Sequence, residues 1–220
     1  MPLIVIEGLD GSGKGTQSKL LYDFLKKNYG DIFTVRFPDY ESDSSSLVKM
    51  YLSGEFGKNA DDVNAYAASS FYAVDRFASY NTKWKNIYKS GAIVLADRYT
   101  TSNIVYQLSK LPREEWEEYI NWAEDFEYNK LRLPRPDVVI YIDMPVEVSQ
   151  KLMTGRYEGD ESKKDIHESN VEFLNHCRKS GLYAAAKLNW KVIPASKDNE
   201  PRPIGDIYDD IKEIVTKALK

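Results

Sequence analysis

The chain has 220 residues, 42% of them hydrophobic and 29% charged, the balance of a soluble globular protein with enough length to bury a full core. A formal net charge of -4 argues against a general nucleic-acid binder, so any phosphate must be held locally. No apolar run reaches the roughly 18 residues that cross a bilayer, and the first run is too short, and lacks basic residues before it, for a secretory signal. The expectation is a cytosolic protein of one domain over residues 1–220, with no nucleic-acid or membrane partner. Its single cysteine, Cys177, builds neither an intrachain disulfide nor a thiolate metal site.

The first element is the apolar run Leu3-Ile4-Val5-Ile6, read as a strand, which feeds Gly8-Leu9-Asp10-Gly11-Ser12-Gly13-Lys14-Gly15-Thr16-Gln17. Glycines in such a turn let successive backbone N–H groups converge on phosphate oxygens. The helix opening at Lys14 adds its positive dipole end, and Lys14 supplies a mobile charge to β and γ phosphates. The spacing follows G-x-x-x-x-G-K-[ST] up to the last position, where Gly15 stands and the hydroxyl is delayed to Thr16. In this form the loop resembles that of nucleoside monophosphate kinases, which implies that Thr16 faces Mg²⁺.

Leu20, Leu21, Phe24 and Leu25 share one side of a helix over 16–27. Ile32 to Phe37 reads as a second strand, closed by Pro38. Between Asp39 and Asn59 the sequence suggests a short helix between loops, and from Ala60 to Tyr88 little breaks a helix, in which Tyr66, Ala73, Phe77 and Tyr80 recur at helical intervals. Gly91 ends it, and Ala92 to Ala96 has the continuous apolar character of a strand buried on both faces. That strand stops at Asp97-Arg98-Tyr99, where open α/β sheets bind ligands. Helix follows from Thr100 to Ser109 and through an acidic stretch to Glu127, then Pro134-Arg135-Pro136 intervenes. Val138 to Ile142 is the next buried strand, capped by Asp143, and Pro145 to Met153 starts another helix. The polar run from Gly155 to Lys164 suggests a mobile lid. Asp165 to Lys187 resumes helix, Trp190 to Ile193 is a last strand, and Ile207, Ile211, Ile214, Val215 and Ala218 stripe a C-terminal helix. The fold class is α/β: a three-layer parallel sheet of about five strands with helices on both faces.

Four stretches, Gly8 to Gln17, Asp75-Arg76, the run from Asp97 to Gln107 and that from Arg135 to Asp143, together resemble the thymidylate kinase family. The D-R-Y-x-x-S-x-x-x-Y-Q pattern at 97–107 is the specific part. The resemblance implies a P-loop NTPase fold, transfer of the γ-phosphoryl group of ATP to dTMP, Mg²⁺ as cofactor and a homodimer. It implies an ATP site at Gly8, Asp10, Gly11, Ser12, Gly13, Lys14, Gly15, Thr16, Gln17 and Arg156, with Thr16 and Asp97 toward the metal, directly or through water. Lys14, Arg98, Arg156 and Asp10 would be catalytic. Phe37, Tyr72, Arg76, Arg98, Ser102, Asn103, Tyr106 and Gln107, with Asp10, would hold the acceptor. Tyr72 would stack on the pyrimidine, Arg76, Asn103 and Gln107 would bond the base, and Tyr106 would crowd the 2′ position of the sugar. Two departures stand out: Asp39-Tyr40 follows Phe37-Pro38 where many relatives carry an arginine, and the lid has Lys163 and Lys164 beyond Arg156, which cannot copy a bidentate fork.

The chemistry agrees with the resemblance. A nucleoside monophosphate has a second pKa near 6, so its attacking oxygen is largely ionised at neutral pH and His167 and His176 are not needed as bases. Another acceptor, such as dUMP, dCMP or a purine deoxynucleotide, stays open at this point, as does a nucleotide-binding switch.

Overall fold

The computed structural model describes residues 2–156, 167 and 170–219. Strands β1 (Leu3–Gly8), β2 (Ile32–Arg36), β3 (Ile93–Asp97), β4 (Val138–Asp143) and β5 (Lys191–Pro194) form one sheet in the order β2-β3-β1-β4-β5. All four pairings are parallel, with Ile4 aligned on Leu95 to one side and Val138 to the other. The helices are α1 (Lys14–Tyr29), α2 (Ser46–Leu52), α3 (Ala65–Ser79), α4 (Lys85–Lys89), α5 (Thr100–Gln107), α6 (Trp116–Glu124), α7 (Val146–Arg156), α8 (Val171–Lys187) and α9 (Ile204–Ala218).

Because side chains alternate across a strand, each apolar run feeds two cores at once. Leu3, Val5, Val94, Ala96 and Tyr141 pack with Val105 of α5, Tyr119 of α6 and Leu174 of α8. Ile4, Ile6, Leu95, Ile140 and Ile142 pack on the other face with Leu21 and Leu25 of α1 and with Ile207, Ile211 and Val215 of α9. The expected three layers are therefore present. No helix among the described residues is long and apolar enough to cross a membrane.

Helix boundaries depart from the sequence reading where short polar side chains take up backbone groups. Residues 60–62 form a 3₁₀ turn with Asn59 and Asp62 in a capping box, and α3 starts only at Ala65, where the Asn64 side chain accepts from the Ala67 N–H. A π-helical turn at 80–84 separates α3 from α4, and a second at 125–130 follows α6, so neither expected helix is regular throughout. The helix expected from Asp165 begins at Val171, capped by Asn170. Of the expected lid, residues 155–156 belong to α7, while 157–164 and the side chain of Arg156 lie outside the described residues. A small hairpin of β6 (Ser196–Lys197) and β7 (Glu200–Pro201), which hydrophobic periodicity does not announce, has two loop residues, Asp198 (φ 52) and Asn199 (φ 59), at the positive angles of a type I′ turn.

Candidate active site at the carboxyl edge of the sheet

Strands β1 and β3 lie side by side and end at Gly8 and Asp97, on the edge where strand order reverses about β1. Open α/β sheets form their ligand crevice here. The turn after β1 needs glycine for space as well as for angle. At Gly11 φ is +75, and a Cβ would sit 2.7 Å from the Ser149 carbonyl oxygen. The chain then enters α1 at Lys14, whose Nζ donates to the Leu9 carbonyl at 2.7 Å and lies 4.0 Å from Asp10 Oδ1. Burial and the neighbouring Arg98 charge pull the Lys14 pKa down to about 8, against the opposing pull of Asp10, Asp97 and Glu7. Ser12 Oγ is buried in the loop with no protein partner among the described residues, as a group awaiting a ligand would be.

Residues 10–17 form one wall of a cavity of about 640 Å³, a volume within the range of nucleotide-sized sites. Asp97 and Arg98 close one side, and Leu152, Met153, Pro203 and Ile204 supply an apolar wall opposite. Gln17 ties the loop to that wall through its Nε2, which donates to the Ile204 carbonyl at 3.0 Å. Of the residues expected on ATP, Asp10 to Gln17 all meet here. Gly8 lies beneath the wall instead, its carbonyl accepting from Arg98.

A second cavity lies over α3 and α5, and it gathers all nine residues expected on the acceptor: Asp10, Phe37, Tyr72, Arg76, Arg98, Ser102, Asn103, Tyr106 and Gln107. The one-face spacing of Ser102, Asn103, Tyr106 and Gln107 on α5 produces this convergence. Gln107 Oε1 is buried without a partner among the described residues. Tyr40 also lines the cavity, in the stretch where a family arginine was expected, and so does Arg36, one residue before Phe37-Pro38.

Arg98 stands where the two cavities meet. It is a non-glycine residue at φ 67, a conformation held against its intrinsic cost by the surrounding contacts. Its Nη2 donates to Asp10 Oδ1 at 2.5 Å and to the Tyr106 hydroxyl at 3.2 Å, and its Nη1 to Glu7 Oε1 at 3.3 Å. Burial alone would raise the Asp10 carboxyl. Arg98, Lys14 and the hydrogen bonds from Tyr106 and Arg98 instead hold it well below the usual carboxylate range. Asp97 faces Arg36, with Oδ2 3.7 Å from Nε.

Several residues of the site escaped the sequence reading. Glu7 is fully buried and accepts from Thr101 Oγ1 and Ser102 Oγ, both at 2.7 Å, so it fixes the start of α5 beneath Arg98. Its signal was legible: it is the one charged residue in an otherwise apolar strand. Asp75, quoted above for its place beside Arg76, accepts from the Asp39 N–H and Ser44 Oγ and so braces the loop after β2. His167 lines the acceptor cavity, stacks on Tyr106 at 5.6 Å and bonds the Tyr51 hydroxyl at 2.9 Å. Burial, with Lys110 nearby, pulls its pKa down to about 3, so it is neutral at physiological pH.

A glycine loop at a helix start, with a lysine inside it and a second cavity sharing its basic rim, defines a P-loop kinase that joins two phosphorylated ligands. Comparison with known proteins narrows this class. The family description "Thymidylate kinase" matches residues 6–201. Curated relatives include the thymidylate kinase of Plasmodium falciparum, 30% identical over 97% of this chain and 89% of its own, and that of Mycobacterium tuberculosis, 28% identical over 89% and 92%. Among solved structures, thymidylate kinase from Candida albicans superposes with a TM-score of 0.70 at 20% identity, covering 98% of this chain and 91% of that one, a likeness that bears on the fold. The chain belongs to the thymidylate kinase family, phosphotransferases that phosphorylate dTMP at the expense of ATP.

Proposed function

We propose that ATP occupies the loop-side cavity, that dTMP occupies the cavity over α3 and α5, and that the γ-phosphoryl group crosses between them beside Asp10, Arg36 and Arg98. The carrying observation is that these three residues belong to the walls of both cavities. The acceptor's phosphate competes with Asp10 for the Arg98 guanidinium, whose fork suits a phosphate. Lys14 leaves the Leu9 carbonyl for the phosphates of ATP. The adenine would lie against Leu152, Met153, Pro203 and Ile204, and Tyr106 against the sugar of dTMP. The nucleophile arrives already ionised, which leaves alignment and charge neutralisation as the work of the site.

Mg²⁺ fits the donors available. Thr16 and Asp97 both line the loop-side cavity, and oxygen ligands in small number suit an ion that keeps waters and substrate phosphates in its shell. Among the described residues no cluster of three or more His, Cys, Asp or Glu would hold a metal alone, in keeping with an ion that arrives with the nucleotide. When bound there, Mg²⁺ supplies positive charge to the phosphoryl oxygens. The roles of Arg156 and of a closing segment at 155–164 belong to the same proposal, as do a single kinase domain, a cytosolic location and a homodimer. Val74 and Phe77 of α3, exposed at 49% and 42%, support the dimer by offering an apolar face to a second copy.

A coupled assay of ADP release across dTMP, dUMP, dCMP and purine deoxynucleotides tests the acceptor. The expected result is fastest turnover with dTMP, and equal or faster turnover with another base would overturn this reading of the cavity.

A further inference from the structure

Glu127 does not line the acceptor cavity, yet it is bonded to two residues that do. It sits in the π-helical turn 125–130, is 2% exposed, and comes from a stretch 24 residues beyond Asn103 and 51 beyond Arg76. Its Oε2 accepts from Arg76 Nε at 2.9 Å, and its Oε1 accepts from Arg76 Nη2 and, at 2.9 Å, from Asn103 Nδ2. Asn103 Nδ2 also donates to the Ser69 carbonyl at 3.1 Å. Carboxylate and carbonyl oxygens can only accept, so both amide hydrogens of Asn103 are committed and the amide cannot be turned over. What Asn103 has left for the cavity is its Oδ1, an acceptor.

Arg76 is constrained in the same way. With Nε–H and one Nη2–H engaged by Glu127, the N–H groups left are the second on Nη2 and the two on Nη1, and Nη1 makes only a long contact of 3.4 Å with the Tyr99 carbonyl. The pair therefore offers N–H donors from Arg76 and a single carbonyl acceptor from Asn103. A 4-keto pyrimidine carries the complement, a C4 carbonyl beside an N3–H, whereas a 4-amino pyrimidine presents a donor and an acceptor in reversed order and is mismatched at both.

We propose that Glu127 is the positioning residue that sets the choice of a keto over an amino pyrimidine, by fixing which atoms Arg76 and Asn103 present. The proposal rests on the reading of this cavity as the nucleotide acceptor site. Glu127→Gln is nearly isosteric but has one acceptor oxygen where the carboxylate has two, so it cannot hold Arg76 Nε, Arg76 Nη2 and Asn103 Nδ2 together, and the two base-facing side chains lose their fixed orientation.

The test compares wild type, Glu127→Gln and Glu127→Asp with dTMP and with dCMP at saturating ATP. Glu127→Gln should narrow the dTMP-to-dCMP ratio of kcat/KM by about tenfold or more, mainly through a higher KM for dTMP, with the KM for ATP unchanged. Glu127→Asp, which keeps the charge but reaches less far, should narrow the ratio by less. A lost helical support would instead lower activity toward both nucleotides alike. If Glu127→Gln folds and keeps the wild-type ratio, Glu127 does not set base choice. If it does not fold, Glu127→Asp decides in its place, a narrowed ratio supporting the proposal and a wild-type ratio overturning it. A wild type without preference for dTMP would instead overturn the reading of the cavity, which keeps the two failures distinct.

Discussion

Lys14 is the residue whose chemistry the fold changes most usefully. In the free protein it is buried beside Arg98 and its pKa falls to about 8, so a sizeable fraction is neutral at mildly alkaline pH. Bound phosphates would favour the charged form and raise that value. Hence kcat/KM for ATP, which reports the free protein, should fall with an apparent pKa near 8, whereas kcat should hold to higher pH. Coincident profiles would show that Lys14 is not the titrating group. Lys14→Ala should lower kcat by at least about a hundredfold while the circular dichroism spectrum stays unchanged. At this scale the sequence was legible where function depends on local spacing, as in the loop 8–17 and the α5 face of Ser102, Asn103, Tyr106 and Gln107. It was opaque where a partner comes from far along the chain: nothing near Glu127 announces Arg76 or Asn103, and Arg76, expected simply to bond the base, is also half of a buried ion pair.

At the scale of elements, the buried strands were readable because apolar side chains on both faces leave a continuous run. Helix ends were not, because Asn64 and Asn170 cap helices that periodicity alone would extend backward, and π-helical turns shift the register of those that follow. The spacing of Ala73 and Phe77 shows the limit of a periodic pattern: Ala73 is buried and Phe77 is 42% exposed. His167 joins elements that no sequence window contains, touching Tyr51 of α2, Tyr106 of α5 and Phe173 of α8. Its neutral form has a consequence for stability. With a folded pKa of about 3 against an ordinary 6.5, the unfolded chain binds the extra proton between those values, so this contribution is complete above about pH 6.5 and is lost as pH falls toward 3. The melting temperature of wild type should therefore drop more steeply between pH 7 and pH 4 than that of His167→Gln. Parallel curves would mean that His167 is not held neutral in the folded protein.

At the scale of the whole molecule, the strand order puts the ends of β1 and β3 together, and that single topological fact brings Asp10 and Arg98 into contact across 88 residues of chain. The order itself was beyond the sequence reading, which could count strands but not arrange them. The exposed pair Val74 and Phe77 leads to a further expectation: the protein should sediment as a dimer, and Val74→Glu should shift it toward monomer by placing a charge in the contact. A wild-type monomer at micromolar concentration would remove α3 as a dimer face. The proposed exchange of a phosphoryl group between the two cavities runs past Asp10, Arg36 and Arg98. It is tested most directly by incubating the protein and Mg²⁺ with ATP labelled at the γ-phosphate and dTMP, then locating the label. The label should appear in dTDP in step with ADP formation, and Arg98→Ala should nearly abolish the transfer. Label released as inorganic phosphate, or transfer undiminished in Arg98→Ala, would contradict it.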